Sequence, residues 1–297
     1  MNSERNFKLR NKKCCANAPP SQGIGGNRRD QAGAPPAWEH SLVRVSGVRV
    51  MLLPGIVLPA ELAYAALIAA IGPDVEAVAK DLEVYATLEP PDDYGLDSEV
   101  AGALREADAR GWERFHVVGY SGGGAAALAI AAARPERLAS LALLEPAWAG
   151  NWDLSPAEKA LRLDFARLDG LPPEKFMPAF TRLNLKPGVP LPEPPQRDPP
   201  PWMSKRPAGI RAIIRAFGRD ELDRDALRRF DRPVYFALAA LSNPDQYEEI
   251  AKRLNRVFED FELEVFDERH HFDPPHRVEP ERLATSLERV WRRAAES

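Results

Sequence analysis

The stretch from Arg114 to Leu144 constrains this chain more than any other. It reads as an apolar strand (RFHVVG), a tight turn at Tyr120–Gly123, an alanine-rich helix from Gly124 to Arg134 stopped by Pro135, and a second apolar strand at Leu138–Leu144. Strand–helix–strand alternation predicts a parallel sheet covered by helices on both faces, and such strands read as continuous apolar runs. Within the turn, Gly119-Tyr120-Ser121-Gly122-Gly123 sets a serine among glycines. A residue on a sharp strand-to-helix turn sits in a strained backbone, so its neighbours must lack bulky Cβ groups. Ala125, Ala126 and Ala127 extend that small surface and let the helix pack close. A serine that merely caps the helix is the plain alternative, and the rest of the chain has to decide.

The elements around this unit repeat the pattern. Leu42–Val45 and Val48–Leu53 flank Ser46–Gly47 and read as a hairpin, followed by a turn at Pro54–Gly55–Ile56. Residues 60–71 are helical and closed by Gly72–Pro73, a strand lies within 75–85, and Asp97 caps a helix ended by Gly111. The sheet resumes with Pro233–Ala239, a helix opened by Asn243–Pro244, the strand Phe261–Phe266, a histidine-rich loop and an amphipathic helix over Glu279–Ala295. Residues 151–230 differ. Ser155-Pro156-Ala157-Glu158 is a helix start with a hydroxyl cap and a glutamate placed for a capping box. Helical patterns continue through 155–169, 173–184 and 207–217, broken by a Pro-rich connector at 189–201. The organisation expected is a tail over 1–37, a core formed by 38–150 and 231–297, and a helical insertion over 151–230.

Bulk properties exclude several classes. A chain of 297 residues can bury one sizeable core with an inserted subdomain. Residues 1–37 nearly lack large apolar side chains, so they cannot offset their ordering entropy and are expected to be disordered. The net charge of −4, spread along the chain, argues against a nucleic-acid partner. Cys14 and Cys15 are the only cysteines, adjacent and without partners at ligand spacing, so neither a disulfide framework nor a zinc site is expected. The basic N-terminal residues precede no apolar segment, and no run approaches the ~20 apolar residues of a membrane span. The expectation is a soluble cytoplasmic protein without metal or cofactor.

The glycine-flanked serine between strand and helix, the Pro54–Gly55 loop, the helical insertion after Leu144 and the late histidine loop together resemble the α/β-hydrolase superfamily. The likeness covers about residues 38–297 through pattern and order. It implies an α/β-hydrolase fold with a mostly parallel eight-stranded sheet, Ser121 as nucleophile, and a Ser…acid…His triad in that chain order. The insertion would then be a lid. Five histidines could serve as the base. His116 lies inside the strand before the turn and His40 has no supporting context. His270, His271 and His276 sit in the loop after the last strand, and the run Arg269-His270-His271-Phe272 before Glu279-Pro280 favours His271.

The acid is less defined. Many members of the superfamily carry Gly-x-x-Asp after the penultimate strand, whereas this chain reads Ala239-Ala240-Leu241-Ser242-Asn243-Pro244-Asp245. Asp245 is close, but it falls in the first turn of a helix, where the helix dipole accounts for it. Glu145 closes the strand at 138–144, a place some members use, and a carboxylate at the end of a buried strand needs a partner. Both remain candidates. For the oxyanion hole the resemblance implies the backbone N–H groups of Gly122 and Ile56. Trp148, Trp152, Phe165, Phe176, Phe180 and Trp202 could wall an apolar acyl pocket or pack the insertion onto the core. The function expected is cleavage of an ester or related acyl bond in a small molecule. An acyltransferase, or a non-catalytic binding protein on the same fold, is the alternative.

Overall fold

The computed structural model describes residues 47–193 and 198–296. Six strands form one sheet: β1 (Arg49–Leu53), β2 (Glu76–Ala79), β3 (Phe115–Tyr120), β4 (Leu138–Leu144), β5 (Val234–Ala239) and β6 (Phe261–Phe266). Their order across the sheet is β2-β1-β3-β4-β5-β6, and every pairing is parallel. Ten helices accompany them among the described residues: α1 (Ala60–Ile71), α2 (Leu96–Ala109), α3 (Gly122–Ala133), α4 (Pro156–Arg167), α5 (Pro173–Asn184), α6 (Arg206–Arg219), α7 (Arg224–Arg228), α8 (Pro244–Asn255), α9 (Pro275–Val278) and α10 (Pro280–Glu296).

The apolar strands divide their side chains between two cores by the period of two that a strand imposes. Met51, Leu53, Val117, Phe236 and Leu238 point to one face, where α2, α3 and α8 cover them. Val50, Leu52, Val118, Tyr235 and Ala237 point to the other, under α1 and α10. Burial on both faces is why these strands read as unbroken apolar runs. The segment between β4 and β5 carries α4 to α7, and its aromatic residues Phe176 and Phe180 join the first core.

Several sequence expectations change here. The sheet has six strands among the described residues where the resemblance implies eight. Between β1 and β6 every apolar run of strand character is already used, and what remains is helical or rich in proline. β1 is not a hairpin arm, because its two edges pair with β2 and β3; the other expected arm, 42–45, lies outside the described residues, as do the tail at 1–37, both cysteines and His40. Asp97 does not cap α2. Gly95 is the cap residue, and the Leu96 amide donates to the Asp220 carboxylate at 2.7 Å. At α4 the Ser155 hydroxyl accepts from the Glu158 amide at 3.1 Å as expected. The reciprocal half of the capping box is absent, because the Glu158 carboxylate is bound to Arg253. Among the described residues no helix is long and apolar enough to cross a membrane.

Candidate active site

β3 ends at Tyr120 and α3 starts at Gly122, so Ser121 alone makes the turn, at φ 53° and ψ −117°. A side chain other than glycine's pays for that region of backbone space, and here the surrounding hydrogen bonds hold it. The Ser121 amide donates to the Leu144 carbonyl at 3.1 Å, and the Ser121 carbonyl accepts from the Ala147 amide at 2.9 Å. The glycines are needed by close approach. A Cβ on Gly119 would lie 2.4 Å from the Gly123 carbonyl oxygen, and one on Gly123 would lie 2.2 Å from that of Leu53. Helix and strand could not reach this separation with any larger residue.

β4 ends beside the same turn. Glu145 follows it at φ 47°, and its amide donates to the Ala237 carbonyl of β5 at 3.2 Å. That left-handed residue turns the side chain across the end of β5. One carboxylate oxygen accepts from the Ala239 amide at 2.9 Å, and the other accepts from the Ser242 hydroxyl at 2.9 Å and meets His271 Nδ1 at 3.1 Å. Burial of a carboxylate without such partners would cost several kcal/mol. The remaining ring nitrogen of His271, Nε2, stands 3.0 Å from Ser121 Oγ. Ser121, Glu145 and His271 are all at least 95% buried.

His271 is held from several sides. Its ring stacks on Tyr247 of α8 at 4.6 Å between centroids and 18° between planes, and Phe272 meets it edge-on. The Tyr120 hydroxyl donates to the His271 carbonyl. Burial pushes the hydroxyls of both tyrosines well above their usual range, with the Glu145 charge adding to it, so each remains a neutral donor. Sequence reasoning did not single out Tyr120 or Tyr247. Tyr120 is the variable residue of its own five-residue motif, and Tyr247 carries no local signal of its contact with a loop 24 positions later.

The other candidates are placed elsewhere. Asp245 is exposed in the first turn of α8, where its amide donates to the Asn243 cap at 3.1 Å. His276 is completely buried between Tyr64 and Tyr120 with no hydrogen-bond partner on either nitrogen; burial first, and the charge of Arg277 second, hold its pKa down to about 3. His270 lies on the same loop, with its Nδ1 buried and unpartnered. His116 bonds Ser140 Oγ at 2.8 Å and packs on Trp291, and burial lowers its pKa to about 4.

The loop at Pro54–Ile56 lies against the serine. A Cβ on Gly55 would be 3.2 Å from Ser121 Cβ, and one on Gly122 would be 2.4 Å from the Ile56 side chain. Gly122 begins α3, where no intrahelical acceptor exists for its amide. The Ile56 carbonyl accepts from the Tyr85 hydroxyl at 2.6 Å, which ties this loop to the chain before α2. A cavity of about 140 Å³ opens beside Ser121 and Ile56 and is walled mainly by apolar side chains, Trp148, Phe165, Phe180 and Phe217 among them. Of the aromatic residues considered above, the other three pack instead: Trp152 under Arg224 and Arg253, Phe176 under Arg211, and Trp202 beside Arg206.

Comparison with known proteins agrees with this architecture. A family model described as alpha/beta hydrolase fold matches residues 86–272, a span that includes Ser121, Glu145 and His271. A hydrolase from Pseudomonas aeruginosa PA01 superposes with a TM-score of 0.58 at 20% identity, over 82% of this chain and 89% of that one. A malate-bound thermophilic esterase from Thermogutta terrifontis gives 0.60 at 18% identity, over 84% and 91%. A meta-cleavage product hydrolase from Pseudomonas fluorescens IP01 gives 0.56 at 17% identity, over 84% and 92%. At these identities the likeness speaks to the fold. A search of curated proteins returned no match.

Proposed function

The chain belongs to the alpha/beta hydrolase family, and from that premise we propose that it is a serine hydrolase cleaving an ester or related acyl bond of a small molecule. One observation carries the reading: side chains 150 and 126 positions apart form a continuous buried relay, Ser121 Oγ to His271 Nε2 at 3.0 Å and His271 Nδ1 to Glu145 at 3.1 Å. A fold alone does not specify chemistry, but a hydroxyl, an imidazole and a carboxylate in this order have a defined use.

In this mechanism Glu145 accepts a hydrogen bond from Nδ1–H and leaves the Nε2 lone pair facing Ser121. The hydroxyl attacks the carbonyl carbon as its proton passes to Nε2, and the imidazolium is stabilised by the buried carboxylate. The amides of Gly122 and Ile56 receive the oxyanion, a contribution of about 3 kcal/mol per donor in enzymes of this kind. Collapse expels the alcohol, which takes the proton from Nε2 and leaves an acyl-serine. Water then attacks that ester, giving its proton to Nε2, and the proton returns to Ser121 as the acid departs. The cavity beside Ser121 holds the acyl group, and the helices of 151–230 act as the lid that closes over it. Ser242 stands near the position where many relatives carry the aspartate, and it supports Glu145 there instead.

The test is covalent labelling. A fluorophosphonate probe is expected to modify the folded protein at Ser121 and to leave Ser121→Ala untouched. A folded protein that resists the probe overturns the proposal. Initial rates on p-nitrophenyl esters of increasing chain length then measure the acyl preference.

A further inference from the structure

The cavity beside Ser121 contains a charged element that acyl hydrolysis alone does not require. Two of its wall residues, Glu158 and Arg162, lie on α4. Glu158 spends both carboxylate oxygens on Arg253, at 2.6 and 2.8 Å, in a pair whose side chains are each 2% exposed. Arg162 reaches the same carboxylate only at 3.5 Å. Its shorter bonds go to neutral acceptors, the Gly150 carbonyl at 2.8 Å and the Asn151 side-chain oxygen. One carboxylate therefore serves two guanidinium groups, and the cluster holds a positive charge in excess.

Nothing else on the cavity wall answers that charge. The remaining polar side chains there besides Ser121 are amides with their own work. Asn184 donates to the Phe180 carbonyl and accepts from Tyr247, and Gln246 donates to the Ala147 carbonyl. Burial pushes the Arg162 guanidinium down from its ordinary range, and Glu158 opposes that shift. Arg162 is 28% exposed and shares its carboxylate partner with Arg253, so a ligand anion reaching it from the apolar cavity would meet a guanidinium whose charge is only partly answered. Guanidinium is also the group best matched to a carboxylate, through paired charge-assisted hydrogen bonds.

Building on the hydrolase reading above, we infer that the acyl half of the substrate carries a carboxylate, received by Arg162 while the ester carbonyl sits at Ser121. The cavity of about 140 Å³ sets the size. At roughly 10–15 Å³ for each water-sized position it holds about ten non-hydrogen atoms. Leu161, Phe165 and Ile250 offer apolar surface to the carbons between the two ends. The substrate class is a monoester of a dicarboxylic acid of about six carbons, or an acyl chain of similar length and charge.

Three p-nitrophenyl esters test this: the mono-adipate, its neutral methyl ester, and the hexanoate. The mono-adipate is expected to exceed the other two in kcat/KM by about tenfold or more, the scale of one charge-assisted hydrogen bond. The Arg162→Gln variant is expected to bring that ratio close to one; the ratio is the measure, and fluorophosphonate labelling certifies that the variant is folded. Wild-type protein that labels and turns over hexanoate without preferring the mono-adipate overturns this inference and leaves the hydrolase reading standing. A ratio that survives in labelled Arg162→Gln overturns it too. Folded wild-type protein that neither labels nor turns over any of the esters overturns the hydrolase reading, and this inference with it.

Discussion

Replacing Glu145 by glutamine keeps the shape of the buried side chain and changes one hydrogen-bond role. The Ala239 amide requires an oxygen opposite it, so the glutamine carbonyl stays there and its NH₂ group faces Ser242 and His271. An NH₂ group donates to Nδ1, which forces the proton onto Nε2. The imidazole then presents N–H to Ser121 Oγ and can no longer take its proton. The lost carboxylate has a second effect. A unit charge about 4 Å from the forming imidazolium is worth about 4 kcal/mol at an effective dielectric constant near 20. That corresponds to about three decades in rate, and the wrong tautomer alone accounts for the ~10⁴-fold loss of the equivalent change in a serine protease.

The expected outcome for Glu145→Gln is a fall in kcat of about 10³–10⁴-fold with KM within a few-fold, read from steady-state hydrolysis of a p-nitrophenyl ester. The melting temperature should change little, because the Ala239 bond survives and Ser242 can accept from the new NH₂ group. Asp245→Asn is the matched control, since Asp245 is exposed at the start of α8 and its loss removes only a helix-dipole contribution of about 0.5 kcal/mol. A Glu145→Gln enzyme within tenfold of wild type, or an Asp245→Asn enzyme with the larger loss, refutes this assignment of the acid.

Three further outcomes follow from other parts of the structure. Tyr85→Phe removes the 2.6 Å bond to the Ile56 carbonyl and loosens the loop behind the oxyanion donor; kcat is expected to fall about five- to tenfold with KM nearly constant, and a change confined to KM would contradict a positioning role. Arg253→Met removes both short bonds to the buried Glu158 carboxylate and leaves it only the 3.5 Å contact to Arg162, so urea denaturation should show a loss of about 2–4 kcal/mol, most of it recovered in the double variant with Glu158→Leu. His276 stays neutral in the folded protein down to about pH 3, whereas its unfolded form protonates near 6.5. The unfolded state therefore binds the extra proton as pH falls below 6.5, and the stability tied to the neutral ring is present above that pH and lost beneath it. Between pH 6 and 4.5 the His276→Phe variant should lose about 1.4 kcal/mol less per pH unit than wild type in denaturation midpoints, and an unchanged slope would refute the linkage.

What could be read from the chain was local. The strand–serine–helix unit, the Ser155 and Asn243 helix caps and the position of His271 after β6 each depend on residues within a few places of one another. What could not be read depends on which strands become neighbours. Asp220 supplies a cap acceptor to α2 from 124 positions away, and Glu158 leaves its capping box because Arg253, 95 positions later, offers two charged donors in a buried site. An isolated capping box is worth little against a buried bidentate pair, so the tertiary contact wins. Tyr247 was invisible for the same reason: only the packing of α8 against the loop after β6 brings its ring onto His271.

Two places at the carboxyl end of the sheet can supply an acid, for a geometric reason. β4 and β5 are adjacent parallel strands, with Leu144 opposite Ala237, so their carboxyl ends open onto the same spot. A carboxylate can reach Nδ1 of His271 from either strand, provided its backbone turns toward the other. Neighbouring strands lie about 4.8 Å apart, and an aspartate just after β4 would have one methylene less to cross that gap. Glu145 supplies the longer side chain, and its left-handed backbone directs it over the end of β5, where the Ala239 amide and the Ser242 hydroxyl secure it. A hydroxyl at Ser242 suits this arrangement, because it donates to Glu145, whereas a second carboxylate there would crowd Glu145 with like charge. Ser242→Asp in the presence of Glu145 should therefore lower stability, read from the urea denaturation midpoint, whereas Ser242→Asp combined with Glu145→Ala should recover part of the kcat that Glu145→Ala loses alone in p-nitrophenyl ester hydrolysis.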